Sequence, residues 1–420
     1  MLWLDKFQHP KEYIRIVLRW GFLGVVMGII GGLLGAIFHH VLHFVTHLRL
    51  EHPWFIFLLP VGGLATVALY RVLKLQKNRG TNEIIESALS GGKIDPRVAL
   101  GIFLSTATTH LLGGSAGREG AALQLGGATA SWLAQRMHLR EDNRKVLIMA
   151  GMSAVFAGLF GTPLTAALFC MEFASVGTLY SPALLPCYLA AYLASRVSAL
   201  LGVHGEGYLL DTALTISLNS GWRILLLAVL VSCLGIAMCW IFHQAEHLAR
   251  HRLPNPYVRI ALGGGIILVL TLLVGDHRFN GAGMDMALAA VAGEADWYSF
   301  ALKLLFTAVT LAAGFKGGEI VPTFCIGATF GCVVGGLLGL DPGIAAALGL
   351  VGLFCCATNS PFASIVLSIE MFGSANLYAF ALVCVICFVL SGNYGLYASQ
   401  IIQFAKAATI GTSQEDSHKE

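Results

Sequence analysis

The sequence has little charge for its length. Only 12% of its 420 residues are charged, while 56% are hydrophobic. A soluble domain has about 25% charged residues, so this chain has about half the charge that usually covers a globular surface. One soluble core could not bury this much apolar side chain, whereas a protein that faces lipid does not need to bury it. The composition therefore excludes an ordinary soluble domain and indicates a membrane protein.

The first twenty residues lack the short apolar run and the small-residue cleavage site of a secretory signal. They contain four lysine or arginine residues against two acidic residues. This segment predicts an amphipathic interfacial helix with a basic bias, which favours a cytoplasmic N-terminus. Residues 406–420 predict a short polar cytoplasmic tail with no room for a soluble regulatory domain. The net charge of +3 points to no particular partner, and no nucleic acid partner is expected.

The ten cysteines lack the pattern of a metal or redox site. They are scattered through apolar segments, with one adjacent pair, Cys355 and Cys356, and one C-x-x-C, Cys384 and Cys387. A metal or redox site would need a polar context, or a second pair with histidines nearby. Free cysteine behaves as a small hydrophobic residue, so we interpret these residues as packing residues. No metal and no cofactor are expected.

Long apolar runs occupy much of the chain. A membrane-spanning helix needs about 20 apolar residues, and several runs reach that length, while others extend for only about 12 to 16 between glycines and prolines. Short runs of that kind are typical of discontinuous helices. We therefore predict an all-α polytopic membrane protein. The runs with the least charge are 20–44, 54–70, 183–201, 224–242, 260–274 and 375–390.

An internal repeat divides the chain into two related halves. Residues 114–129, GSAGREGAALQLGGAT, align without gaps with residues 314–329, GFKGGEIVPTFCIGAT. Gly114, Gly117, Glu119 and the segment Gly127-Ala128-Thr129 each match at an offset of 200. We predict a first half at residues 1–205, which includes the N-terminal interfacial helix, and a second half at 206–405. Such repeats are typical of transporters and channels whose site lies at the repeat interface.

A second pair of blocks follows in the same order. Pro163 and Pro361 each precede an apolar run, and a glutamate follows nine residues later, at Glu172 and Glu370. The prolines predict helix starts, and the residues before them, Thr162 and Ser360, are candidate caps. For the two glutamates we favour a structural role, with lining of the site, ion pairing and helix capping left open.

Two glutamates inside the first repeated blocks carry the functional hypothesis, because a carboxylate in a membrane segment is costly. Glu119 and Glu319 each follow glycines and precede an apolar, helix-like run. A glycine-rich turn that opens a helix presents unpaired N–H groups and forms an anion site. A glutamate there can act as a tethered anion that leaves when it is protonated. We interpret Glu119 as a gate and proton carrier, with a structural ion pair to Arg118 as the alternative.

At these residues the sequence resembles the CLC family of chloride channels and anion/proton antiporters, over about residues 15–405. The resemblance rests on three matches, which are Gly117-Arg118-Glu119-Gly120 for G-[K/R]-E-G-P, Gly318-Glu319-Ile320-Val321-Pro322 for G-x-F-x-P, and Tyr397 in Gly395-Leu396-Tyr397. Ala121 stands where the first motif has proline.

The resemblance implies an inverted repeat of two halves with many tilted, broken helices, one pore per subunit, and a homodimer in the cell membrane. It also implies that Glu119 is the gating glutamate, that the N–H groups of Glu319 and Ile320 face a central anion, and that Tyr397 offers it a hydroxyl. Thr81 is our candidate for the family's anion-binding serine. The implied anion-binding residues are Gly117, Arg118, Gly120, Gly318, Ile320, Tyr397 and Thr81.

Differences from the motifs of the chloride branch narrow the choice of substrate. The G-S-G-I-P segment of the chloride branch corresponds here to Gly80-Thr81-Asn82-Glu83-Ile84, and the inner proton glutamate corresponds to Phe173. Glu319 is an extra carboxylate in the central motif. This set resembles the fluoride/proton antiporter branch. We therefore expect a fluoride/proton antiporter that exports fluoride, with a chloride/proton antiporter or a passive anion channel as the alternatives.

An enzymatic alternative comes from Gly113-Gly114-Ser115-Ala116-Gly117, which matches the G-x-S-x-G nucleophile elbow, with His110 nearby. The motif arises easily in a glycine-rich chain, and a two-half repeat is not what a hydrolase site needs. No enzyme is expected. The histidines, including His243 and His247, are interpreted as interfacial or packing residues, and Lys303 has no assigned role.

Overall fold

We describe the fold from a computed structural model, in which residues 10–205, 207–208, 210, 214, 217–403 and 406 are described. The predicted tail, apart from Lys406, and residues 1–9 of the predicted N-terminal helix lie outside the described residues. The first eight helices are α1 (Pro10–Glu51), α2 (Leu59–Val72), α3 (Thr81–Ser90), α4 (Arg97–Leu111), α5 (Glu119–Arg136), α6 (Glu141–Phe160), α7 (Pro163–Glu172) and α8 (Leu184–Leu200).

Eight further helices follow within the same described ranges. They are α9 (Leu218–Arg252), α10 (Pro256–Val274), α11 (Met284–Val291), α12 (Ser299–Ala313), α13 (Ile320–Leu337), α14 (Pro342–Thr358), α15 (Pro361–Phe372) and α16 (Leu377–Leu390). In the described part of the chain, three short 3₁₀ turns occur at Pro53–Leu58, Ser181–Ala183 and His277–Phe279. Two two-residue strands, β1 (Ser175–Val176) and β2 (Ile401–Ile402), pair in parallel. The all-α prediction is confirmed.

The helices are suited to a membrane. Within the described residues, seven helical segments are long and apolar enough to cross a bilayer. Five shorter apolar helices of 10 to 17 residues accompany them. Short helices leave backbone ends within the membrane that must be satisfied inside the protein. The predicted mixture of spanning and broken helices is therefore present.

The first helix is longer than the sequence patterning indicates. The prediction ends an interfacial helix at Trp20, but α1 continues without a break from Pro10 to Glu51. The sequence changes from charged to apolar residues near Trp20, which changes the environment of the helix from solvent to lipid and protein. No helix-breaking proline stands there, so the helix continues. Residues 11–19 are exposed, whereas the following turns are partly buried.

Glycines at four-residue intervals explain how α1 packs against α8. A Cβ built on Gly28 would lie 2.7 Å from the Leu193 Cβ, and one built on Gly32 would lie 2.8 Å from the Ala194 backbone oxygen. Small residues spaced in this way let two helix backbones approach closely, which is the main source of helix association in lipid. The α1 helix therefore lies directly against α8.

Two glutamates tie the halves together by a reciprocal exchange. The Glu172 carboxylate, at the end of α7, accepts hydrogen bonds from the N–H groups of Phe362 (3.1 Å) and Ala363 (2.9 Å) at the start of α15. The Glu370 carboxylate, in the last turn of α15, accepts from Leu164 (2.9 Å) and Thr165 (2.8 Å) at the start of α7. Each short helix is therefore capped by the carboxylate of its counterpart.

This exchange corrects the predicted caps. The helices do begin at Pro163 and Pro361, but neither Thr162 nor Ser360 makes a side-chain cap hydrogen bond. The carboxylates from the other half take the N–H groups that a local cap would use. Of the roles left open for Glu172 and Glu370, capping is the one that their contacts support.

We predict that the exchange contributes measurably to stability. Replacing Glu370 by alanine leaves the N–H groups of Leu164 and Thr165 without their charged acceptor, so the free energy of unfolding should fall by about 1 to 3 kcal/mol. Glu370→Gln should lose less because the amide oxygen still accepts. Thermal unfolding of the purified protein measures this, with Glu294→Ala, an exposed acidic residue beyond the end of α11, as a control expected to leave melting unchanged. An unchanged melting temperature for Glu370→Ala would contradict the assignment.

Candidate functional site

The two glycine-rich loops meet face to face at the centre of the fold. Gly117 and Gly318 form an isolated antiparallel bridge. The N–H of Gly117 donates to the Gly318 oxygen at 2.7 Å, and the N–H of Gly318 donates to the Gly117 oxygen at 2.8 Å. The starts of α5 and α13 are thereby brought together, so that unpaired N–H groups from both halves converge.

The bridge requires glycine at both positions. A Cβ on Gly318 would lie 2.6 Å from the Gly120 nitrogen, and a Cβ on Gly117 would lie 2.9 Å from the Pro322 Cδ and closer still to the Glu119 carboxylate. Contacts under 3.0 Å cannot form without displacement. These two glycines therefore serve the close approach of two backbones.

Glu119 is fully buried at this junction. It begins α5, and its Oε2 accepts hydrogen bonds from the N–H groups of Arg118 and Val321, both at 3.1 Å. One donor comes from each half of the chain. Oε1 has no hydrogen-bond partner among the described residues. The carboxylate therefore lies where the first N–H groups of two helices present their positive ends.

The alternative of a side-chain ion pair between Glu119 and Arg118 is not favoured by this geometry. It is the backbone N–H of Arg118 that contacts the carboxylate. The Arg118 guanidinium carbon lies 5.2 Å from the Phe160 ring centroid, and one guanidinium nitrogen lies 3.4 Å from the His39 Nδ1.

A cavity opens on one side of the junction. It has a volume of about 160 Å³, and Thr81, Gln124, Lys316, Glu319 and Tyr397 are among its lining residues. We call it the inner cavity, on the predicted cytoplasmic orientation of the N-terminus. The loop Gly80-Thr81 places Thr81 against the site, because a Cβ on Gly120 would lie 3.1 Å from the Thr81 Oγ1.

A second cavity lies on the opposite side of Glu119. It has a volume of about 470 Å³. We call it the outer cavity. Arg118 and Val321, whose N–H groups hold the Glu119 carboxylate, line it together with a group of basic side chains. Glu119 is thus placed between two cavities. One described lining residue of the outer cavity is acidic, Asp285, and the basic ones besides Arg118 are His39, His43, His47, Arg49, His110, His277 and Arg278.

The remaining predicted site residues also converge here. Glu319 is the residue before α13, and its Oε2 has no hydrogen-bond partner among the described residues. Ile320 opens α13 and is buried. Tyr397 is 5% exposed, and its hydroxyl likewise lacks a partner in the described part of the chain. Glu319 and Tyr397 both line the inner cavity, where a small ligand or a proton can supply the hydrogen bonds that these two oxygens lack.

Phe173 and Gln124 add to the site. The Phe173 ring packs edge-on against the Tyr397 ring at 5.8 Å between centroids, so an apolar side chain backs the tyrosine. Gln124 was missed by sequence reasoning. Its Nε2 donates to the Gly120 oxygen at 3.1 Å and to the Thr81 Oγ1 at 3.4 Å, and its Oε1 has no partner among the described residues. A buried amide in an otherwise apolar helix was the available signal.

Histidines line both cavities, whereas no cysteine does. His243 lines the inner cavity, and the five histidines named above line the outer cavity. His243 and His247 are exposed on α9, and the described residues contain no cluster of three or more metal-ligating side chains. All ten cysteines are free, and nine are buried. The thiols of Cys355 and Cys356 donate to the α16 backbone oxygens of Cys384 and Cys387 at 3.3 Å.

We predict that a single methyl group at the bridge destabilises the protein. Gly318→Ala must displace the Gly120 backbone or break the bridge, and such overpacking costs about 1 to 3 kcal/mol. Thermal unfolding measures the loss. The matched control is Gly221→Ala in α9, where a new Cβ meets nothing within 4 Å and where alanine favours the helix. Equal melting temperatures for the two variants would show that the approach is not tight.

Comparison with known proteins agrees with this architecture. The family model described as a voltage gated chloride channel matches residues 62–392. A chloride/fluoride channel protein from Pseudomonas syringae pv. tomato is 32% identical over 412 residues, covering 96% of this chain and 91% of that protein. The voltage-gated ClC-type chloride channel ClcB from Salmonella dublin is 30% identical over 357 residues, covering 81% of this chain and 84% of that protein.

A solved structure also matches. The crystal structure of a CLC-type fluoride/proton antiporter superposes with a TM-score of 0.88 at 33% identity, covering 92% of this chain and 98% of that chain. The resemblance stated from the motifs is confirmed, as is the expectation of a multi-pass membrane protein with the CLC fold. The chain belongs to the CLC family of voltage-gated chloride channels and related anion transporters.

Proposed function

We propose that this protein exchanges fluoride for protons and thereby exports fluoride. The observation that carries the proposal is the second carboxylate, Glu319. It immediately precedes α13 beside the junction that holds Glu119, and it lines the inner cavity. Phe173 stands where a chloride/proton exchanger has its inner glutamate. Of the two carboxylates that line the inner cavity among the described residues, Glu246 is exposed, whereas Glu319 lies beside the junction, so Glu319 is the candidate for that role.

The chemistry of fluoride suits two carboxylates. Fluoride is small, strongly hydrated and a strong hydrogen-bond acceptor, and HF is a weak acid. A protonated carboxyl can therefore donate to fluoride and share its proton with it. Chloride is a much weaker acceptor, so an additional carboxylate at a chloride site would chiefly repel the anion.

The proposed cycle uses Glu119 as a tethered anion. When ionised, its carboxylate occupies the N–H groups of Arg118 and Val321 and closes the path between the two cavities. Protonation removes the charge that those donors hold, so the side chain leaves and a free anion takes its place. One residue then gates the anion and carries the proton.

The other predicted residues have roles in the same proposal. The N–H groups of Glu319 and Ile320 would receive the anion at the centre, and Tyr397 and Thr81 would offer it hydroxyl groups. The free hydroxyl of Tyr397 and the position of Thr81 at the inner cavity support this. Gly117, Gly120 and Gly318 let the backbone donors approach the site.

The names of two similar proteins mention fluoride, which supports fluoride as the substrate. They are the chloride/fluoride channel protein and the CLC-type fluoride/proton antiporter. The alternative is chloride transport, by exchange or as a passive channel, and the likeness to ClcB supports it. We further propose a homodimer, on the family resemblance alone.

We propose transport rather than hydrolysis. The Ser115 Oγ is fully buried, and it accepts a hydrogen bond from Lys303 and shares one with Thr307, so it contacts neither His110 nor a cavity. The His110 Nδ1 instead lies 3.0 Å from the Thr106 oxygen. The G-x-S-x-G match therefore has no catalytic arrangement around it.

The direct test is transport by the purified protein in liposomes. An imposed pH gradient should drive fluoride uphill, and fluoride flux should exceed chloride flux by at least about tenfold. Protein-free liposomes and chloride under the same gradient are the controls. Downhill fluoride flux without proton movement would favour a passive channel, and faster chloride than fluoride flux would favour the chloride alternative.

We predict that Glu119→Gln abolishes proton coupling. The amide keeps the shape of the side chain but cannot carry a proton between the cavities, so proton flux should fall by at least about tenfold while anion flux persists. Simultaneous recording of fluoride and pH in liposomes measures both. Normal proton exchange by Glu119→Gln would contradict the gate assignment.

A further inference from the structure

Lys303 is a buried cation that the proposed cycle does not use. It lies on α12, and its side chain is 0% exposed. Its Nζ donates to the Gly281 oxygen at 2.7 Å, the Ser115 Oγ at 3.0 Å and the Phe279 oxygen at 3.2 Å. An ammonium has three donors, so the group is fully hydrogen-bonded.

No carboxylate of the described residues pairs with Lys303. The acidic residue of the outer cavity, Asp285, interacts electrostatically with Arg49. The ion pairs among the described residues, at nitrogen–oxygen distances of up to 4.0 Å, include none to Lys303. A second cation lies nearby, because a Cβ built on Gly281 would lie 2.8 Å from a guanidinium nitrogen of Arg49. A buried, unpaired positive charge in a membrane protein is costly and is a functional hypothesis by default.

Lys303 lies directly behind the wall of the outer cavity. Gly283 lines that cavity, and a Cβ built on it would lie 2.8 Å from the Lys303 Cε and 3.1 Å from its Nζ. Only a glycine backbone therefore separates the ammonium from the cavity at this point. A charge in a low-dielectric surrounding acts over several ångströms, so its potential extends into the cavity.

Lys303 is also connected to the loop that carries the gate. Ser115, one of its three acceptors, is four residues before Glu119. The Ser115 N–H donates to the Thr310 Oγ1 at 3.0 Å, and its Oγ lies 3.0 Å from the Thr307 Oγ1. Residues 303, 307 and 310 form one polar stripe on α12, which holds the gate loop and the cation together.

Only the cation of this stripe is confined to the second half, because Thr307 and Thr310 correspond by position in the helix to Ser105 and Thr108 of α4. By position in the helix, Lys303 corresponds to Gly101 of α4, and by the repeat alignment Ser115 corresponds to Phe315. The positive charge therefore stands on one side of the junction, behind the outer cavity, and has no counterpart in the other half.

We propose that Lys303 is the fixed counter-charge for the transported anion on the outer side of Glu119. It lowers the electrostatic cost of a small anion that is leaving the junction or waiting in the outer cavity, and it acts as a positioning residue that does not itself touch the anion. The proposal rests on the anion transport proposed above and concerns a residue outside the gate.

The test separates charge from shape at position 303. Lys303→Gln keeps a donor for Ser115 but loses the charge, whereas Lys303→Arg keeps the charge. We expect the KM for fluoride in liposome flux to rise at least about tenfold in Lys303→Gln and to stay within about threefold of wild type in Lys303→Arg. Lys145→Gln on α6, the same change at a lysine that lines neither cavity, should match wild type.

Two results would overturn the proposal. One is an unchanged KM in Lys303→Gln, and the other is an equal rise in Lys303→Gln and Lys303→Arg, which would show that the site depends on shape. If Lys303→Gln is not recovered as folded protein, Lys303→Met replaces it. Ser115→Ala, which keeps the charge and two of its three acceptors, should then raise KM less than Lys303→Met does, and an equal rise would overturn the proposal.

Failure of this proposal is distinguishable from failure of the proposed function. Wild-type flux of fluoride and chloride is measured first. If chloride is the anion carried, the same variants are compared by the KM for chloride, and the expected pattern is unchanged because a fixed charge acts on any small anion.

Discussion

Unpaired backbone N–H groups at the starts of two helices are the constraint on which this structure depends. In a bilayer such groups must be satisfied by the protein or by a ligand, because lipid offers no acceptor. The bridge between Gly117 and Gly318 aligns the starts of α5 and α13, and the Glu119 carboxylate takes one N–H from each half. A site of this kind binds a carboxylate or a free anion with the same donors, so competition between the two is built into the backbone geometry.

Carboxylates also satisfy helix-start N–H groups away from the site. Glu172 and Glu370 exchange caps between α7 and α15, so the starts of these helices are satisfied by carboxylates from the opposite half. Carboxylate-to-N–H contacts thus join the halves both at the gate and at a distance from it. The halves differ in charge, however. The first supplies Glu119, whereas the second supplies Glu319 and the buried cation Lys303.

Much of this arrangement could be predicted from the sequence. The offset of 200 residues identified the loops that meet, and the cost of charge in lipid singled out Glu119 and Glu319. The continuous α1 could not be predicted, since a change from charged to apolar residues does not end a helix. The exchanged caps could not be predicted either. Local rules place a helix cap beside the proline, whereas the actual acceptors lie about two hundred residues away in the sequence. Gln124 and Lys303 were visible as polar residues in apolar helices, but their roles depend on tertiary contacts that periodicity does not contain.

The most direct test of the account is equilibrium fluoride binding to the purified protein, with and without the tethered carboxylate. If the Glu119 side chain occupies an anion site, then removing its carboxylate in Glu119→Ala frees the N–H groups of Arg118 and Val321. Titration calorimetry should then show fluoride affinity at least about tenfold tighter than in the wild type, or one additional bound anion per subunit. Identical affinity and stoichiometry in the two proteins would contradict the account.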